Sequence, residues 1–329
     1  MSALLDLARR PEATPTHRFA HEVLAGLAQR QKSIPCTWLY DHRGSELFER
    51  ITEQPEYYPT RTETMILERC AGAIAQAAGA HATVVELGSG SSRKTPLLLA
   101  ALDRPAAYVP VDMSARFLAE SVPPLRERFP RMAIEPTVAD FTRLASMPRH
   151  GVGRRVVFFP GSTIGNFTPE AACALLDRIG LVAGPGALLV VGADPTRDPQ
   201  ALLPAYDDAA GVTAAFNKNL LARMNRELGS DFAPSAFRHQ ARWNAAEQRV
   251  EMHLVSEYTQ RVQVLGHSFQ FAMGESIHTE NAYKLSVVRF QALAHRAGWH
   301  ALQLWTDAAA RFAVHVLERR APARGVTQV

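Results

Sequence analysis

Cysteine is scarce in this chain of 329 residues: Cys36, Cys70 and Cys173 are the only three, far apart and with no C-x-x-C pair. That excludes a disulfide framework and a zinc site of that spacing, and it points to a reducing compartment. Long apolar runs are missing as well. None approaches the roughly 20 residues of a membrane-spanning helix, and Met1 to Pro11 lacks the apolar core of a secretory signal. A cytoplasmic protein without a membrane partner is expected. Excess charge of one sign is small: 36 Lys and Arg stand against 32 Asp and Glu, a net +4, and the basic residues are scattered. With no stripe to track a phosphate backbone, a nucleic-acid partner is not expected. Repeats and low-complexity segments are also lacking, although residues 321–329 are small and polar enough to form a loose tail. The 47% of hydrophobic residues suffices for one large or two modest globular domains taking a small-molecule substrate.

The most informative stretch is Thr83-Val84-Val85-Glu86-Leu87, an apolar run that enters Gly88-Ser89-Gly90-Ser91-Ser92-Arg93-Lys94. An acid, Asp112, ends the next apolar run, Tyr108-Val109-Pro110-Val111-Asp112. A Rossmann-type sheet holds an adenosine in this way: glycines let the backbone approach the ligand, and an acid after the second strand accepts the ribose hydroxyls. A plain tight turn and a solvated aspartate would share part of the pattern, but the strand before and the acid after favour a nucleotide. Arg93 replaces the third glycine of a dinucleotide fingerprint, which disfavours a diphosphate cradle and hence a dehydrogenase. The E-x-G-x-G form suits S-adenosylmethionine (SAM). Asp140 and Phe141, after a third apolar run, offer an acid and a ring for an adenine edge and face; taken alone, Asp140 reads as a helix cap.

Apolar runs at 83–87, 108–112, 132–138, 155–160 and 186–193 alternate with helical patterns at 95–102, 114–129 and 169–183. This is the rhythm of a parallel, doubly wound α/β sheet. After Asp194 a helical stretch over 199–228 precedes three alternating runs, 237–244, 249–258 and 260–271, which predict an antiparallel meander. A helix near 286–298 and strands at 301–305 and 311–318 close the pattern as in class I methyltransferases.

Longer motifs point to one family. Ser33-Ile34-Pro35, Trp38-Leu39-Tyr40-Asp41, Gly44-Ser45-Glu46-Leu47-Phe48 and Pro55-Glu56-Tyr57-Tyr58-Pro59-Thr60-Arg61 resemble the N-terminal signature of the histidine-specific methyltransferases of the ergothioneine pathway. Gly161-Ser162-Thr163-Ile164-Gly165-Asn166, Ala205-Tyr206-Asp207-Asp208, Gly211-Val212-Thr213-Ala214-Ala215-Phe216-Asn217 and Ile277-His278-Thr279-Glu280 resemble its later signatures. The resemblance runs from about 18 to 318.

It implies a class I Rossmann-like SAM methyltransferase, and a monomer is expected. A cofactor domain would comprise 62–195 and 286–320, and a discontinuous α+β substrate domain 15–61 and 196–285. The implied activity is trimethylation of the α-amino group of L-histidine to hercynine. Gly88, Lys94, Asp112, Asp140 and Phe141 would hold SAM. Tyr57, Asn166 and Tyr206, with Gly161, would hold the amine and carboxylate, Tyr57 and Asn166 being the catalytic candidates. Glu280 would meet the imidazole and Met252 would pack its ring. By residue type alone Asn166 serves equally as an Asx cap before Thr168, the tyrosines as edges of a core, Lys94 as a solvated first helical turn and Glu280 as a surface acid.

The chain departs from the family at one contact: a Glu-x-Ser is replaced by Glu280-Asn281-Ala282. Losing a hydroxyl from a polar-ring site costs on the order of 1 kcal/mol unless Asn281 or water replaces it. A relaxed pocket for another aromatic amino acid is therefore the alternative substrate reading. A noncatalytic SAM-binding regulator is the alternative of a different class. A nucleic-acid methyltransferase would carry an N/D-P-P-Y/F motif where this chain has Gly161 to Asn166.

Overall fold

The computed structural model describes residues 15–148 and 150–320. The segment read for a secretory signal and the tail expected to be loose lie outside them. Among the described residues no helix is long and apolar enough to cross a membrane. The chain divides into two compact units: a first unit up to Tyr57 together with Asp198–Asn281, and a second of Tyr58–Arg197 together with the chain from Ala282.

The first unit opens with α1 (Pro15–Leu27) and α2 (His42–Thr52). In the second unit, α3 (Tyr58–Ala78) leads to β1 (Thr83–Leu87), α4 (Thr95–Ala101), β2 (Ala107–Asp112) and α5 (Ala115–Arg128). There follow the short β3 (Ala133–Ile134) and β4 (Thr137–Val138), then β5 (Arg155–Phe159), α6 (Pro169–Ala183) and β6 (Leu188–Ala193). The chain returns to the first unit for α7 (Pro199–Tyr206), α8 (Val212–Leu228), β7 (Phe237–Asn244), β8 (Arg249–Ser256), β9 (Gln260–Val264), β10 (His267–Phe271) and β11 (Ser276–Tyr283). The last strand continues into the second unit, completed by α9 (Val287–Arg296), β12 (Trp299–Thr306) and β13 (Ala313–Arg319).

The second unit is a mixed α/β fold on one eight-stranded sheet, ordered β12-β13-β6-β5-β1-β2-β3, with β4 also paired to β2. β1 runs parallel to both β2 and β5, and β5 parallel to β6, whereas β13 is antiparallel to β6 and to β12. Alternation sorts the core by face. Val85, Val109, Val157 and Val191 meet α6 and α9 on one side, while Val84, Tyr108, Val156 and Val190 meet α3, α4 and α5 on the other. Burial on both faces explains why these strands read as unbroken apolar runs. The order reverses between β1 and β5, which creates a crevice at the carboxyl ends of these strands, where open α/β sheets take their ligands.

Three sequence expectations require correction. The run at 132–138 is two short bridges, because Pro136 has no N–H to continue a ladder. The helical stretch 199–228 breaks after Tyr206, because Asp208 caps α8, its carboxylate accepting from Val212 N at 2.9 Å and Thr213 N at 2.7 Å. The run 260–271 is a hairpin: Leu265 (φ 51°) and Gly266 (φ 79°) are both left-handed, as a two-residue turn between β9 and β10 requires. The predicted meander is thus a three-stranded sheet, β11-β8-β7, with a separate β9–β10 pair. Elsewhere in the first unit, the Arg223 guanidinium of α8 lies over Phe19 of α1 at 4.9 Å and over Trp38 at 5.2 Å, tying these segments together.

His315 on β13 gives the second unit a measurable pH dependence. It is 1% exposed, neither ring nitrogen has a partner among the described residues, and its ring packs on Phe290 at 4.5 Å. Burial lowers its pKa from 6.5 to about 4. Between these values the unfolded chain binds a proton that the folded chain refuses, so stability is full above pH 6.5 and falls as pH drops to 4. The loss approaches roughly 3 kcal/mol. His315→Leu is expected to flatten the urea-unfolding stability measured across this window; an unchanged slope would contradict the assignment.

Candidate active site

In the second unit the carboxyl ends of the central strands carry the residues anticipated for a cofactor. Gly88 and Gly90 turn the chain after β1 with φ of 66° and 50°, a region that favours glycine. Asp112, at the end of β2, braces this turn: its carboxylate accepts from Gly90 N at 3.1 Å and from Ser114 N at 2.9 Å. Each oxygen keeps a second lone pair, so the same carboxylate can accept hydroxyls. Ser89 Oγ in the turn is buried and has no partner among the described residues. Such an orphan beside an open-backbone turn fits a polar ligand. Beyond β4, Asp140 caps a short 3-10 turn through Thr142 N at 3.0 Å, so the capping role is real. It places Phe141 with its ring edge 3.5 Å from where a Gly88 Cβ would stand, packed edge-on against Phe159.

Two buried acids organise this end of the sheet: Glu63, which carries no mark in the sequence, and Glu86, the acid of the E-x-G-x-G motif. Glu63 of α3, 1% exposed, accepts the ammonium of Lys94 and, at 2.8 and 3.1 Å, the N–H of Gly161. Lys94 is therefore a paired, largely buried ammonium and not a solvated first turn. A Cβ on Gly192 would overlap the Glu63 carboxylate, which explains the glycine in β6. Glu86, the acid of the glycine motif, faces inward and accepts from Thr95 at 2.6 Å and from Tyr108. Burial, opposed by those two hydrogen bonds, raises its pKa to about 7. Its work is to fasten the glycine turn to α4 and β2.

The loop after β5 presents Gly161 (φ 83°) and Ser162 (φ 58°) before the 3-10 turn Thr163–Asn166. Asn166 is half-buried on that turn. It is not the cap of α6, a role taken by Thr168, whose Oγ1 accepts from Ala171 N. Ser162 Oγ accepts from Asp194 N at 3.0 Å, and Asp194 in turn accepts from Tyr58 at 2.6 Å and Lys284 at 2.7 Å. A buried ion pair thus fixes the loop that carries Asn166.

The amino-acid residues expected in the first unit form a distinct cluster. Tyr57 packs edge-on with Phe48 at 6.2 Å and Tyr206 at 6.4 Å, and Tyr40 with Phe48 at 5.7 Å and Phe216 at 5.3 Å. Glu280 on β11 is 9% exposed and therefore no surface acid. Desolvation, then the Glu280 charge, then Cys36, Tyr57 and Tyr206 hold the Tyr40 phenol well above its ordinary range. Burial and the same carboxylate push the Cys36 thiol up. Glu280, Cys36, Tyr57 and Tyr206 thus all act on Tyr40. Met252 is buried in β8, its carbonyl accepting from Thr279 Oγ1 at 3.1 Å. Asn281 lies beside His278. Gly161, Asn166 and the buried Ala282 belong to the second unit. Tyr40, Phe48 and Phe216 were overlooked although each stands inside a quoted motif.

Among the described residues Glu251, His253 and His278 offer three ligand atoms within 4.8 Å of one another. The His253 and His278 rings stack, tilted by 14°, so their lone pairs run side by side and do not converge. Arg249 also occupies Glu251 at 2.7 Å. This geometry braces β8 against β11 and does not suit a tetrahedral metal.

Residues 19–319 match the family described as histidine-specific methyltransferase, SAM-dependent. A histidine N-alpha-methyltransferase of Mycolicibacterium smegmatis is 43% identical over 304 residues, covering 91% of this chain and 94% of that protein. One from Mycobacterium tuberculosis is 43% identical over 297 residues, covering 88% and 92%. A 4-dimethylallyltryptophan N-methyltransferase of Claviceps purpurea is 25% identical over 324 residues, covering 90% and 94%. With the glycine turn, its bracing acid and a match of this extent, the chain belongs to the histidine-specific, SAM-dependent methyltransferase family and is a SAM-dependent N-methyltransferase of a small molecule.

Proposed function

We propose that the protein methylates the α-amino nitrogen of L-histidine, and does so three times to give hercynine. The observation that carries this reading is that the first unit holds both a buried carboxylate, Glu280, and a cluster of packed rings, Tyr40, Phe48, Tyr57, Tyr206 and Phe216. An aromatic cluster with a buried carboxylate in the same unit suits a heteroaromatic ring, whose N–H the carboxylate can accept. In the same proposal the first unit, with Met252 and Asn281, holds the amino acid. The second holds SAM through Gly88, Lys94, Asp112, Asp140 and Phe141, and carries Gly161, Asn166 and Ala282. Bound SAM supplies a methyl group on a sulfonium, an electrophile that needs no acid catalysis.

The protein's share is to present the amine as a neutral lone pair, the α-ammonium having lost a proton to water before each transfer. The Asn166 amide offers donors for a carboxylate and an acceptor for the amine without competing as a nucleophile. The Tyr57 hydroxyl orients the amine, and phenolic and amide oxygens tolerate the fixed positive charge of the trimethylated product. Positioning and electrostatics then dominate over a strong base. The proposal places the enzyme in the cytoplasm as a monomer that takes no nucleic acid, a setting compatible with three free cysteines. Ala282, in place of the family's serine, and the resemblance to a prenylated-tryptophan methyltransferase favour one second reading, another aromatic amino acid.

Purified protein with SAM and all twenty amino acids in competition, together with mono- and dimethylhistidine, is expected to add three methyl groups to histidine by mass spectrometry. Methylation of a different amino acid would establish the second reading. Cofactor binding without turnover would favour a noncatalytic regulator.

A further inference from the structure

We infer that His239, oriented by Asn217, is the positioning residue that fixes Tyr206 for the amino-acid substrate, an inference that rests on the histidine-methylation reading above. The Gly211 to Asn217 motif stands apart from the residues assigned to substrate, yet it ends on a fully buried amide. Asn217 Nδ2 lies 3.3 Å from the carbonyl of His253 and 2.9 Å from His239 Nδ1. A carbonyl can only accept, so this end of the amide is the N–H end. His239 Nδ1 therefore accepts and carries no proton.

The neutral ring must then carry its proton on Nε2, which lies 2.8 Å from the carbonyl of Tyr206. The side chain is 1% exposed, and burial lowers its pKa against the opposing effects of the Tyr206 carbonyl, Asp207 and Asp208. Tyr206 is the last residue of α7, whose end carbonyls lack intrahelical partners. The His239 N–H satisfies that carbonyl from β7 while Asp208 caps the next helix, so the backbone on either side of the Tyr206 ring is held. Asn217, His239 and Tyr206 form a chain of directed hydrogen bonds in which each donor decides the next. Its terminus is the tyrosine that packs on Tyr57.

His239→Phe keeps a flat ring and deletes the donor. It is expected to raise KM for histidine about fivefold to tenfold, the worth of one buried hydrogen bond, with the Kd for SAM unchanged. His239→Gln, whose amide can donate to the same carbonyl, is expected to return KM to within about threefold of the unaltered protein. A normal KM in His239→Phe overturns the inference alone, as does a Gln variant impaired as much as Phe. No methylation of histidine by the unaltered chain overturns both this inference and the reading beneath it. Should His239→Phe fail to fold, nitrogen-15 spectra of the unaltered protein decide: a protonated Nε2 and bare Nδ1 support the inference, and the opposite tautomer overturns it.

Discussion

Lys284→Met is expected to destabilise the protein by about 3–5 kcal/mol, the cost of leaving one member of a buried ion pair without the other. The two side chains, Lys284 and Asp194, are 1% and 0% exposed, and their charged atoms lie 2.7 Å apart. Asp194 also accepts from Tyr58 at 2.6 Å and Thr196 N at 2.8 Å. Those donors remain in the variant but carry no charge, and the carboxylate must either stay ionised in an apolar setting or take up a proton. Asp194→Asn alone is expected to be similarly costly, since it strands the ammonium. The double variant should recover most of the loss, because neither charge is then buried. Urea unfolding of the four proteins closes the cycle, and strictly additive losses would contradict the pairing. Ser162 Oγ accepts from Asp194 N, so the single variants should also loosen the loop that carries Asn166.

Glu280→Gln is expected to lower kcat/KM for histidine by about tenfold to a hundredfold, the range for a hydrogen bond to a charged group. Shape and volume are conserved, so the loss reports the charge. It should appear mainly in KM, with the Kd for SAM unchanged, because Glu280 is assigned to the imidazole and not to the methyl donor. A second readout is independent of turnover: the Glu280 charge helps hold the Cys36 thiol and Tyr40 phenol up. Both groups should ionise at lower pH in the variant, which thiol alkylation and tyrosinate absorbance can follow. Unchanged kcat/KM with shifted titrations would leave Glu280 in the cluster but remove it from recognition.

How far the sequence could be read depended on whether the deciding contact was local. β1, the glycine turn and Asp112 were legible because a strand, a left-handed turn and an acid at a strand end each impose their own residue types. The hairpin at Leu265 and Gly266 was misread as one strand, although the glycine was in view, because alternation on both sides continues through the turn. Asp140 shows a different difficulty: the capping role and the ligand role require the same residue in the same place, so only the structure reveals that the first is filled. Lys94 was named as a binding residue, but its partner Glu63 stands 31 positions away in α3 and carries no local mark.

The amino-acid sequence by itself determined the family, the alternating order of the second unit's strands and helices, and the residue types available for SAM and for an amino acid. Each follows from short-range chemistry: periodicity, capping, turn geometry and motifs in a fixed order. Only the tertiary structure decided which acids are buried and what neutralises them. It joined Asp194 to Lys284, brought Glu280 to act on Tyr40, packed Tyr57 on Tyr206, and gave His239 its tautomer through Asn217. Burial and pairing are properties of surfaces brought together from distant segments, and they fix the charge, proton position and orientation of side chains whose identities the sequence had already supplied.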